Sequence, residues 1–269
     1  MNTDPTPVAV VGAGPSGLGC AIGLAARVPV VLVERIPVAG GTAGWDNPEI
    51  RDHVAGAAAL GVELRLGQTA IRWSAHRLLV AGPGECSWIP ARHLFVAAGL
   101  RPATPADLKM TGDRPAGVVP ATVAEHLLEA GVALWRTVAV VGDGPWAPRV
   151  AERARRLGAR VIAVGSDAAW ADEHFERPRQ WSIVGRDRVR ALRLCYEGAG
   201  PACIDVRCDA VVLAVDPLPN RNIDGAVLPG SAQVTFVQPV APRDAGKRFD
   251  AARRAVSDWL DAAGRVVLA

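Results

Sequence analysis

Residues 8–17 read Val-Ala-Val-Val-Gly-Ala-Gly-Pro-Ser-Gly, and residues 138–147 read Val-Ala-Val-Val-Gly-Asp-Gly-Pro-Trp-Ala, identical at seven of ten positions. Each copy opens on an apolar run, turns at closely spaced glycines and goes on with apolar residues at helical spacing. That is the opening of a strand–turn–helix–strand unit. Its appearance twice commits the 269-residue chain to two nucleotide-binding-type halves. In the first copy Leu18, Ala21, Ile22 and Ala25 form the helical stripe, and residues 30–33 make the next strand, ending at Glu34. In the second, Val150, Ala154 and Leu157 make the stripe and residues 161–164 the strand.

Short strands fill the intervals. Residues 62–66, 71–74 and 77–80 read as a small meander, with residues 93–97 returning as a buried strand. Residues 189–196 and 204–207 read as a second meander, returning at residues 210–215. Pro102, Pro105, Gly112, Pro115, Gly117 and Pro120 mark the crossing between domains. A last helix over residues 249–260 carries Phe249, Ala252, Val256, Trp259 and Leu260 on one face, which is expected to pack on the first sheet. The expected fold class is α/β, with two Rossmann-like domains, each bearing a small antiparallel meander.

The glycine turns carry the chemistry. Gly12 permits the tight turn, Gly14 lets backbone amides approach a pyrophosphate, and Gly17 lets the helix sit close to its strand. The positive end of the helix then faces the phosphates. Glu34 stands 20 residues after Gly14, where a carboxylate accepts hydrogen bonds from adenosine ribose hydroxyls. The second loop keeps Gly142 and Gly144 but has Ala147 as its third small residue. The position matching Glu34 is Gly165, followed by Ser166, so no acid reads a ribose there, and neither NAD nor NADP is favoured. The alternative reading of this second loop is a retained fold around an empty pocket.

Other chemistries find less support. A net charge of +3 is too small for a nucleic-acid partner. Residues 8–26 are uncharged, yet Gly12, Gly14, Pro15 and Gly17 interrupt them, so a membrane span is not expected. The first five residues offer no basic leader, and a cytoplasmic protein is expected. Five cysteines without a Cys-x-x-Cys pair argue against a disulfide framework or zinc site, leaving buried thiols as the expectation. His53, His76, His93, His126 and His174 share no ligand spacing, so no metal is expected. Arg153, Arg155, Arg156 and Arg160 read as a solvated helix face. Trp45 and Trp146 stand beside the loops, where they line pockets or fill core and interface.

With Gly40-Gly41 after Glu34 and Ala97-Ala98-Gly99 closing the first meander, the paired units resemble the two-dinucleotide-binding-domain flavoprotein superfamily. That superfamily includes thioredoxin reductase and the pyridine nucleotide-disulfide oxidoreductases. Gly112-Asp113-Arg114-Pro115-Ala116-Gly117-Val118 is similar to the branch holding the FAD-linked subunits of opine dehydrogenase, hydrogen cyanide synthase and sarcosine oxidase. Cys208-Asp209-Ala210-Val211-Val212-Leu213-Ala214, with Pro219-Asn220 beyond, also matches a superfamily segment, so the resemblance spans residues 7–220.

The resemblance implies a FAD-binding domain of residues 1–110 and 221–269, with an NAD(P)-binding domain of residues 111–220 inserted in it. FAD would lie along Gly12, Gly14, Pro15, Ser16, Gly17, Glu34, Arg35, Gly41, Thr42, Ala98 and Gly99, and NAD(P)H would approach Gly142, Gly144 and Ala147. The implied activity is hydride transfer between NAD(P)H and flavin, then to a small-molecule substrate or an electron-acceptor protein. Three departures qualify it. Neither residues 40–46 nor residues 164–175 contain a cysteine, which disfavours disulfide reduction. Ala98 stands where relatives carry Thr, and Asp216 where they carry Gly. The Gly-Asp that binds the ribityl chain in relatives is replaced by the run Val234-Thr235-Phe236-Val237-Gln238-Pro239-Val240. This implies weaker flavin binding or a pocket completed by another subunit in a hetero-oligomer. A degenerate cofactor-binding subunit, or a dinucleotide sensor without turnover, is the alternative.

Overall fold

The computed structural model describes residues 6–165, 169–197, 202–220, 233–237 and 244–266. The chain divides into two compact units, Met1–Leu100 with Pro219–Ala269, and Arg101–Leu218.

In the first unit the strand Val8–Val11 lies at the centre of a parallel sheet, flanked by Val30–Glu34 and His93–Val96. Glu63–Leu66 and Val234–Phe236 form its two edges. A parallel strand covered on both sides needs apolar residues on both faces, which is why its strands read as continuous valine-rich runs. Val8, Val10, Val30 and Leu32 point into one core with Cys20, Ala21 and Leu24 of the helix Pro15–Ala25. Ala9, Val31 and Val33 point into the opposite core with Leu78, Val80 and Ile89. Those three come from the antiparallel strands Arg77–Gly82 and Glu85–Pro90, which with Thr69–Ser74 make the meander. Residues 63–66, expected in the meander, instead pair in parallel with Val30–Glu34 and extend the main sheet.

The last helix runs from Ala245 to Val266, longer at both ends than its apolar stripe suggested. Asp244 caps its start, accepting the Lys247 N–H at 3.0 Å. The helix crosses Pro15–Ala25 over Gly19 and Gly23. A Cβ on Gly19 would stand 2.5 Å from the Phe249 carbonyl oxygen, and one on Gly23 would stand 3.3 Å from the Val256 side chain. Glycine at those two positions lets the helices meet backbone to backbone.

His93 is buried beneath this layer, its Nε2 2.9 Å from the Thr235 hydroxyl and its ring against Phe95 and Trp259. Burial, with Arg92 beside it, lowers its pKa from 6.5 to about 4. The unfolded chain therefore takes up a proton as pH falls through 6.5, while the folded chain resists until about 4. This contribution to stability is full above the unfolded value and is lost as pH falls across that window. After discounting for solvent screening, the loss is on the order of 2 kcal/mol. Urea unfolding of His93→Gln, which keeps a hydrogen-bonding side chain but cannot titrate, is expected to show a correspondingly smaller loss of stability on acidification than the parent.

The second unit repeats the plan. Its parallel sheet runs in the order Val118–Pro120, Ala210–Leu213, Thr137–Val141, Arg160–Val164, Glu173–Phe175. Val138, Val140, Val161 and Val212 face the helices Ala121–Glu129 and Ala147–Arg156. Ala139, Val141, Ile162 and Val211 face Trp181, Ile183, Leu192, Leu194 and Val206 of a second antiparallel layer.

Candidate functional site

In the first unit the turn from strand to helix is built as the glycines require. Gly12 has φ +101° and donates its N–H to the Val33 carbonyl at 2.8 Å, and a Cβ there would stand 2.5 Å from the Ala97 oxygen. A Cβ on Gly17 would fall only 1.6 Å from the Gly12 oxygen, so the helix lies directly on the turn. Gly14 is the N-cap, Pro15 opens the helix, Ser16 is half-buried, no side chain caps this end and no acid occupies its first turn. The terminal amides and the positive end of the helix are thus left for a ligand's negative charge.

Opposite them, residues 40–44 make a second glycine turn. Gly40 donates to the Ala13 carbonyl at 2.8 Å, and a Cβ on Gly41 would stand 3.3 Å from the Gly14 Cα. A Cβ on Gly14 itself would make only ordinary contact, at 3.9 Å from the Gly40 oxygen and the Gly41 Cα, so the two glycine turns face each other without a clash there. Glu34, buried at the end of its strand, ties the site together. Its Oε2 accepts the Ala13 N–H at 2.8 Å and its Oε1 accepts the Ile36 N–H at 3.1 Å. Each carboxylate oxygen retains acceptor capacity beyond its one backbone bond.

The remaining residues expected here fall on the rim. Arg35, Gly41, Thr42 and Gly99 are exposed and Ala98 is half-buried. Thr42 Oγ1 accepts from Arg248 of the last helix at 2.9 Å. Asn220 holds the Ala98–Gly99 segment, with Nδ2 donating to the Ala98 carbonyl at 2.5 Å and N–H to the Gly99 carbonyl at 2.9 Å. The sequence marks Pro219-Asn220 only as a matching segment and gives Asn220 no such role, because the contact joins positions 122 apart. In the run that replaces Gly-Asp, residues 234–236 form the edge strand, while Gln238, Pro239 and Val240 lie outside the described residues. The uncapped helix start and anchored acid of this unit fit the ADP half of FAD.

The second loop begins alike and then departs. Gly142 has φ +100° and donates to the Val164 carbonyl at 2.9 Å, matching Gly12. Gly144, however, donates its N–H to the Ala214 carbonyl at 2.8 Å, and the helix begins only at Ala147, with Trp146 as N-cap. Gly165 was read as leaving no acid at this site. A Cβ there would meet the Asp143 Oδ1 at 2.4 Å, so a carboxylate from the loop occupies the space a side chain at 165 would take.

Several expectations about single residues change. Cys195 and Cys203 face each other across adjacent antiparallel strands and form a disulfide. The expectation of unpaired thiols rested on the odd count and on spacing. Cross-strand register, not proximity in sequence, brings these two together. Cys20 and Cys208 are buried, which pushes each thiol up to about 12, whereas Cys86 is exposed. Arg155, Arg156 and Arg160 are exposed and Arg153 is half-buried, as a solvated face requires. Arg160 starts the strand Arg160–Val164 rather than lying on the helix, and all four are ion-paired. Arg153 meets Glu125 at 3.0 Å and Glu129 at 2.7 Å, Arg155 meets Asp172 at 3.0 Å, Arg160 meets Glu173 at 2.6 Å, and Arg156 pairs with Glu152. Trp45 is 62% exposed with Arg51 over its ring, and Trp146 packs against the helix-side core of the second unit. No helix among the described residues is long and apolar enough to cross a membrane.

Residues 6–167 match the family model described as pyridine nucleotide-disulphide oxidoreductase. No curated protein matches the sequence. Among solved structures, L-proline dehydrogenase from P. horikoshii is similar at 17% identity and a TM-score of 0.60, over 96% of this chain and 56% of that one. Thioredoxin reductase from Lactococcus lactis is similar at 16% identity and a TM-score of 0.62, over 94% of this chain and 97% of that one. A NAD-dependent persulfide reductase from A. fulgidus is similar at 16% identity and a TM-score of 0.63, over 94% of this chain and 59% of that one. The chain thus spans little more than half the length of the dehydrogenase and the persulfide reductase. At these identities the likeness establishes the fold, two Rossmann-like halves of FAD/NAD(P)-binding type.

Proposed function

This chain belongs to the pyridine nucleotide-disulphide oxidoreductase family, whose members are flavoproteins that bind FAD and use NAD(P)H, and from that premise we propose that its first unit holds FAD for an oxidoreductase reaction. The observation that carries this reading is the uncapped start of the helix Pro15–Ala25 with Glu34 locked beside it by two backbone amides. The amides at the start of Pro15–Ala25 would take the pyrophosphate and Glu34 the ribose hydroxyls, with Arg35, Gly41, Thr42, Ala98 and Gly99 along the rim. When bound, FAD supplies hydride and electron transfer at its isoalloxazine ring. The protein's own part is to orient the nucleotide and hold the Glu34 carboxylate in place through its two backbone donors.

The electrons would pass to a small-molecule substrate or an electron-acceptor protein, without a redox-active disulfide. Supporting this, the thiol on the helix that opens at Gly14, Cys20, is buried within the core with its pKa pushed up to about 12, which keeps it protonated and unreactive. The names of similar structures, a proline dehydrogenase and a persulfide reductase, place different substrates on one fold, so the fold does not choose the substrate. A second reading, a cofactor-holding subunit whose flavin pocket is completed by another chain, is favoured by Gln238-Pro239-Val240 where relatives carry Gly-Asp.

Titrating the purified chain with FAD tests the reading. One equivalent is expected to bind, with ADP competing for the same place, and absence of binding by both nucleotides rejects it. Anaerobic dithionite titration of the loaded protein is expected to consume two electrons per flavin. Four electrons would make Cys195–Cys203 part of the redox chain, because a disulfide takes two more.

A further inference from the structure

The two copies of the strand–loop–helix frame act as controls for one another. In the first, a Cβ on Gly14 would make only ordinary contact, at 3.9 Å, and the helix starts on the next residue, Pro15. In the second, the matching glycine is sealed. The Gly144 N–H is spent on the Ala214 carbonyl, and a Cβ on Gly144 would stand 2.4 Å from that oxygen, 2.8 Å from the Val215 carbonyl carbon and 3.0 Å from the Asp216 nitrogen. The helix begins two repeat positions later, at Ala147, whose own N–H donates back to the Gly144 carbonyl at 2.9 Å.

The sequence explains the change. At Gly17 a Cβ would fall 1.6 Å from the Gly12 oxygen, so the first helix closes on its turn only because that residue has no side chain. Ala147 brings the methyl group, and its helix does not close in the same way. Trp146 replaces the small Ser16 as the residue entering the helix and packs its ring on the core beneath. Pro145 has its counterpart in Pro15, but Pro148 stands where the first copy has Leu18 and removes an N–H from the first turn of the second helix. Finally, the Asp143 carboxylate fills the space over Gly165.

We infer that the second unit does not take up a dinucleotide, because its glycine loop is closed by its own returning strand, and that it serves this chain as scaffold while the first unit alone binds a nucleotide. The closed loop stands on its own geometry; only the assignment of the nucleotide to the first unit rests on the flavin reading.

Calorimetric titration of the full chain with NADH and with NADPH, in saturating FAD or ADP, separates the two. No saturable heat is expected up to about 1 mM, and amide exchange at Gly144 is expected to be slow before nucleotide is added and unchanged after it. Saturable one-to-one binding that alters exchange across residues 142–150 overturns the inference. Binding that leaves that segment unaltered places the nucleotide elsewhere and supports it. Failure of FAD and ADP to bind, with NAD(P)H also silent, removes the flavin reading and leaves the closed loop standing.

Discussion

Replacing Gly17 by alanine is expected to yield a folded chain that holds FAD roughly 100-fold more weakly. A Cβ at this position would sit 1.6 Å from the Gly12 carbonyl oxygen, far inside contact distance, and the obstacle is backbone that cannot rotate away. The helix start must retreat from the turn. The second unit displays one such arrangement: with Ala147 at the matching position, its helix opens two positions late and the glycine before it turns inward to Ala214. A small overpacking of this kind costs about 1–3 kcal/mol of stability. The larger effect falls on the ligand. If the helix end draws back from the phosphates, loss of two or three charge-assisted amide contacts lowers affinity roughly 100-fold. Fluorescence titration with FAD, alongside urea unfolding, separates the two effects. FAD affinity within about threefold of the parent's would mean the approach of helix to strand does not govern binding. The mirror substitution, Ala147→Gly, should cost no more than about 1 kcal/mol, the propensity penalty of glycine in a helix.

How much of this was legible in the sequence differs between the two loops. The paired glycine turns, the valine-rich strands and Glu34 were readable because each is a local consequence of residue type: glycine where φ is positive, valine where both faces are covered, an acid at a strand end. The sealing of the second loop was not, although Trp146, Ala147 and Pro148 are in plain view. It depends on where the returning strand brings the Ala214 carbonyl, a contact about seventy positions away in sequence. The Cys195–Cys203 bond escaped for a related reason, since only strand register places the two opposite each other. Asn220 and Arg248, which hold the rim at Ala98 and Thr42, belong to segments whose role emerges once the chain has returned to the first unit. Thus local geometry came through, and long-range closure did not.

Glu34→Gln is expected to weaken FAD binding about 10- to 100-fold while lowering stability by roughly 2 kcal/mol. The carboxylate accepts two backbone N–H groups, from Ala13 and Ile36, one on each oxygen. An amide side chain keeps the shape but has only one accepting oxygen, so whichever way it turns its NH₂ faces one of these two donors. The Ala13 bond is buried, and an unpaired donor there cannot be replaced by water without opening the turn. The same loss removes the charge that would favour ribose hydroxyls as donors. Glu34→Asp separates the two contributions. The shorter acid keeps the charge but retreats from Ala13, so it should recover part of the stability at neutral pH and little of the FAD affinity. If Glu34→Gln bound FAD as tightly as the parent, the ribose would have to be recognised by some other group, and the link from this strand end to the adenosine half of the cofactor would be broken even with the pyrophosphate cradle intact.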